Sequence, residues 1–190
     1  LGESTNPFGP TPLPASTTTV QGFGGVLIDG TTTSTDPIAR GVSLDSTHGP
    51  LLIRTGSTGV RSNGTLEIKG QAPAGGVGVE VASGVQIGSP ETAGRLVVRA
   101  TGGDLDFRGT MQTFGLPLPP PSSGFVAPSS GFVAPTTNLT AAGSLRLSGT
   151  FLNSGDPRNL LVSSGTGDIS LTGPTSVSLA GGTLSTAIGT

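Results

Sequence analysis

The sequence predicts an all-β chain wound as a parallel β-helix (a β-solenoid), and three observations carry that reading. Short runs of alternating apolar residues recur about every eight to thirteen residues along most of the chain. Nearly every gap between them is filled by Gly, Ser, Thr, Asn or Asp, the residues that let a chain turn a corner. Aromatic side chains are few, with seven Phe and no Trp or Tyr, as suits a narrow tube filled by stacked Val, Leu and Ile.

Taken in order, residues 1–20 hold four prolines within LGESTNPFGPTPLP and read as an arm or linker. Residues 21–190 read as the solenoid. Its first strand falls around Val26, Leu27 and Ile28, and TTTSTDP (31–37) is turn material. A series then follows: VSLD (42–45), LLIR (51–54), TLEIK (65–69), VGVEV (77–81), VQI (85–87), RLVVRA (95–100) and DLDFRG (104–109). Within it Leu66 and Ile68 point opposite to Glu67 and Lys69. Val77, Val79 and Val81 are predicted inward with Gly78 and Glu80 outward, and Leu105 and Phe107 inward with Asp104, Asp106 and Arg108 outward.

Residues 115–137 break the rhythm and read as an insertion that leaves the scaffold. GLPLPPP is polyproline-like, and the tandem SSGFVAP–SSGFVAP follows. Its Phe125, Val126, Phe132 and Val133 are candidate contacts, packing on the scaffold's flank or joining one chain to another, with a disordered segment as the third reading. From Asn138 on, LRLSGTFL (145–152), NLLVSS (159–164), GDISLTG (167–173) and SVSLAGG (176–182) resume the pattern, with Leu161, Ile169 and Val177 evenly spaced.

A β-sandwich is the competing architecture. It favours Asn-Gly or Asp-Gly hairpins, and only Asn63-Gly64 and Asp29-Gly30 qualify. Several runs of three to five residues are also short for a sandwich face. Gly and Pro are abundant, but the β-branched runs argue against a disordered polymer, and no Gly-X-Y period suggests collagen.

Composition bounds the chemistry. Nine basic residues are scattered without a patch, and no stacking aromatics accompany them, so a nucleic-acid partner is not expected. No cysteine exists to form a disulfide or thiolate site. No apolar run is long enough for a transmembrane helix, no signal peptide is read at Leu1, and the chain reads as a processed product or a piece of something longer.

The lone His48 lies in DSTHGP (45–50) and reads as an exposed turn residue. Asp104 and Asp106 share one face of a strand, the arrangement that a Ca²⁺ site or a glycosidase would start from. Arg99 and Arg108 are expected to offset them instead, and GGD (102–104) is only a fragment of the Ca²⁺-binding nonapeptide. Gly22–Gly25 lacks the lysine of a phosphate loop, and no serine has a base beside it. Asn63-Gly64-Thr65 and Asn138-Leu139-Thr140 match the N-glycosylation pattern. The expectation is a chain with no cofactor, no metal and no catalytic residues.

GGDLDFRGTM (102–111), AGSLRLSGTF (142–151) and TGDISLTGPTSVSLAGG (166–182) resemble the degenerate repeats of filamentous-haemagglutinin-like exoproteins, with similar strings in autotransporter passengers. The resemblance covers about residues 41–109 and 142–184. It implies a right-handed parallel β-helix exported by two-partner secretion to the surface of a Gram-negative bacterium, serving adhesion, biofilm or intercellular competition. Asn6-Pro7 is followed by Phe8 where that family's secretion signature has Asn, so the chain reads as an internal segment or a divergent relative.

The expected function is a non-enzymatic extracellular scaffold, the shaft of an adhesin or surface filament. It would stack coil on coil with further copies or continue in a longer chain, with a host or bacterial surface ligand as partner. The alternative is a β-helical protein that binds or cleaves polysaccharide, such as a phage tail spike.

Overall fold

The computed structural model describes residues 17–114, 136–154, 159–171, 176–179 and 184–188. Phe125, Val126, Phe132 and Val133 lie outside them. The described residues form strands, turns and bends, with no helix.

The chain visits three sheets in strict rotation. The first coil is β1 (Thr18–Gln21), β2 (Gly25–Thr31) and β3 (Arg40–Leu44). The second is β4 (Leu51–Arg54), β5 (Thr65–Gln71) and β6 (Val77–Val81). The third is β7 (Val85–Ile87), β8 (Leu96–Gly102) and β9 (Asp104–Phe107). The fourth is β10 (Thr110–Phe114), β11 (Thr136–Ala141) and β12 (Leu145–Leu147). The fifth is β13 (Thr150–Ser154), β14 (Asn159–Ser164) and β15 (Ile169–Leu171), and β16 (Ser176–Leu179) and β17 (Leu184–Ile188) follow.

Every third strand pairs in parallel with the one before it. This builds sheet A (β1-β4-β7-β10-β13-β16), sheet B (β2-β5-β8-β11-β14-β17) and sheet C (β3-β6-β9-β12-β15). Successive coils are therefore stacked at the interstrand spacing of about 4.8 Å. A parallel pair needs a long connection, and here the connection is the rest of the coil.

The core is the inside of the tube. In sheet B, Leu66 lies opposite Leu96, and Ile68, Val98, Leu139 and Val162 form the next row. Val79, Leu105 and Leu145 form one row in sheet C, and Val81, Phe107 and Leu147 the next. Ile53, Ile87, Met111 and Phe151 line sheet A. All of these are buried, and the Phe107 and Phe151 rings tilt against each other at 5.2 Å. These rows are apolar because their only neighbours are other inward rows, with the exception of Thr137, which is buried between Leu96 and Leu160.

The corner from sheet B to sheet C needs residues without bulk. Gly30, Gly70, Ala100, Ala141 and Ser164 stand in register there. A Cβ on Gly70 would overlap the Gly78 carbonyl oxygen and the Val79 side chain. At the same corner of the third coil Gly103 has φ +77°, in the left-handed region that an L side chain rarely adopts.

Several local expectations shift. β1 opens at Thr18, within the stretch read as arm, and β11 opens at Thr136, within the stretch read as insertion. Val77 is half-buried rather than inward, because a register shift lies between Val77 and Val79. Gly78 is buried rather than outward, and a Cβ on it would overlap the Gly102 carbonyl oxygen and the Ala100 side chain of the next coil. LRLSGTFL is two strands with a corner at Ser148-Gly149.

Candidate functional site

The chemistry-bearing side chains lie on the outer faces of sheets B and C, because strand alternation puts every second residue there. On sheet B, Asp29 sits in register with Lys69 and pairs with it at 3.0 Å, joining the first coil to the second. Glu67 reaches Arg99 of the third coil at 2.7 Å.

On sheet C, Glu80 and Asp106 stand directly opposite each other, which places like charges together and costs stability unless a cation intervenes. Arg108 supplies it, bonding Glu80 through Nη2 while its Nε lies 3.5 Å from Asp106. Glu80 also accepts from Arg40 Nε at 2.7 Å, and Arg40 is held in turn by the Pro37 and Ala39 carbonyls. Asp104 accepts the Ser144 amide at 2.8 Å and lies 3.9 Å from Arg146 of the fourth coil. Five of these six ion pairs cross from one coil to the next.

Asp104 and Asp106 therefore share a face, as the sequence predicts, but they are turned to different cations. Arg108 meets Asp106 as expected. Arg99 does not join them, because it projects from sheet B and reaches Glu67 instead. Among the described residues no three His, Asp or Glu side chains gather as metal ligands.

His48 is exposed in the turn after β3. Beside it the Thr47 amide, 3.1 Å from Asp45 Oδ1, and the Thr47 hydroxyl hold the Asp45 carboxyl below its usual range, with His48 adding a small push the same way. Small residues leave a shallow cleft of about 280 Å³ along Ala72, Gly75, Gly102, Gly103, Ala142 and Gly143. No titratable side chain lines it.

The two sequons separate. Asn63 is exposed in the corner before β5, whereas Asn138 lies within β11 with its Oδ1 buried and without a hydrogen-bond partner among the described residues. A buried polar cluster that sequence reasoning missed sits at the corner from sheet A to sheet B. Ser62 Oγ donates to the Phe23 carbonyl, and Thr92 Oγ1 donates to the Thr55 carbonyl at 3.2 Å. Ser62 and Thr92 also form an isolated parallel bridge. Hydroxyl residues spread through a Thr- and Ser-rich chain give no sequence signal for such a clasp.

At the same corner, burial pushes the Glu91 carboxyl up. The Ser89 hydroxyl, the Gly59 amide at 3.3 Å, its own amide and the Arg54 charge outweigh that and hold it below its ordinary value. Comparison of the chain with protein-family models, with curated proteins and with solved structures finds no match.

Proposed function

We propose that this chain is a stretch of non-enzymatic extracellular scaffold, the shaft of an adhesin or surface filament of the filamentous-haemagglutinin-like kind. The observation that carries the reading is the use of its charge. Asp29–Lys69, Glu67–Arg99, Arg40–Glu80, Glu80–Arg108 and Asp104–Arg146 each fasten one coil to the next. Carboxylates that are turned to cations along the axis hold a rod together and are not set to share a substrate.

The resemblance of residues 102–111, 142–151 and 166–182 to exoprotein repeats supports the same reading, together with surface localisation and two-partner secretion. The winding is right-handed on the general rule that strand-to-parallel-strand crossovers take that hand. The open hydrogen-bonding edges of a solenoid's end coils favour assembly by coil stacking or continuation in a longer chain.

Incubation of the purified protein with a panel of bacterial and host surface polysaccharides tests it. The scaffold reading expects no shortening of any polymer. Depolymerisation that is lost in Asp104→Asn or Asp106→Asn would establish the tail-spike-like alternative.

A further inference from the structure

We infer that the Asn63–Gly64 bond is a latent self-modification site, locked by the contact between the first and second coils. Of the chain's five asparagines, Asn6, Asn63, Asn138, Asn153 and Asn159, only Asn63 precedes glycine. The amide nitrogen of a following residue can attack an asparagine side-chain carbonyl, and glycine hinders that approach least because it has no side chain. Attack by the Gly64 nitrogen on Cγ of Asn63 forms a five-membered imide and expels ammonia. Water then opens the ring at one carbonyl to give aspartate, or at the other to give isoaspartate with an extra methylene in the backbone. Solvent supplies the water, and the Asn63 side chain is exposed to it.

The fold withholds the nucleophile. The Gly64 amide donates to Ser62 Oγ at 3.0 Å, and that hydroxyl is itself anchored on the Phe23 carbonyl of the first coil. The Ser62 backbone is fixed from the other side, donating to the Glu91 carbonyl and accepting from the Ala93 amide, each at 3.0 Å. Gly64 has no room to swing. A Cβ placed on it would lie 2.7 Å from the Phe23 carbonyl oxygen and 2.8 Å from Gly24. A Cβ on Gly94, in the third coil, would overlap the carbonyl oxygens of Asn63 and Gly64. Ring closure thus requires the first coil's corner to lift. An isoaspartate formed during such an opening does not fit back between Gly24 and Gly94, so the modified corner stays displaced.

Peptide-resolved mass spectrometry of the intact protein at neutral pH and 37 °C tests this against the same chain held unfolded in urea. Conversion at Asn63 is expected to be at least about tenfold slower in the folded protein, since it proceeds only through the open fraction. Ser62→Ala is expected to accelerate it severalfold while Asn138 is unchanged. In the wild-type chain, urea below the global transition is expected to raise the Asn63 rate, so the inference does not depend on the variant folding. Equal rates in folded and unfolded protein would overturn it, as would a rate that does not respond to sub-denaturing urea.

Discussion

Leu105 is fully buried between Val79 of the coil before and Leu145 of the coil after. A carboxylate at that position has no partner in the tube. Leu105→Asp is expected to destabilise the chain by about 4 kcal/mol, enough to unfold a marginal domain. A melting temperature equal to wild type would remove Leu105 from the core.

Glu80 works at the surface through two arginines, so Glu80→Gln is expected to cost only about 1 kcal/mol, and less at high salt. Urea midpoints at low and high ionic strength measure it. Glu91 gives a pH effect. Its carboxyl is held below the ordinary range in the folded state, so its contribution is present above the unfolded value and is lost as pH falls through the folded one. Glu91→Gln is expected to flatten the acid limb of the stability–pH curve below about pH 5, where the unfolded carboxyl begins to protonate. An unchanged limb would contradict that.

At the scale of the strands, most of the pattern was legible because alternation survives wherever a strand lines a dry tube. The runs read at 51–54, 65–69, 77–81 and 85–87 fall on β4 to β7. β1 and β10 were harder to see. TTVQ and TMQTF carry Thr and Gln, and they are strands because Leu51, Gln86 and Thr150 in neighbouring coils offer a matching backbone. That information lies dozens of residues away in sequence. The ion pairs were half legible for the same reason. Local spacing gave the shared face of Asp104 and Asp106, but the pairing of Glu67 with Arg99 follows from coil register. The clasp at Ser62 left no trace that a reader of a Ser-rich chain could separate from its neighbours.

Stability should also be graded along the stack. β1 is exposed throughout and the inward Val26 and Ile28 of β2 are only half-buried, while Leu66, Ile68, Leu96 and Val98 are fully buried. Hydrogen exchange is therefore expected to be fastest in β1 and β2 and slowest in β5 and β8. Uniform protection across the four strands would contradict the gradation.

At the scale of the whole molecule, described coils repeat a single interface. Each inward row meets its like, and the outward charges tie neighbours together. An architecture of this kind has stability that grows with the number of coils and surface that grows with length, which suits a rod more than a pocket. The shaft reading rests on that repetition. Cryo-electron microscopy of the native material from its source cells tests it most directly. The account predicts rods with an axial repeat of about 4.8 Å, into whose density these coils fit end on without a break. Compact, dispersed particles with no axial repeat would contradict it.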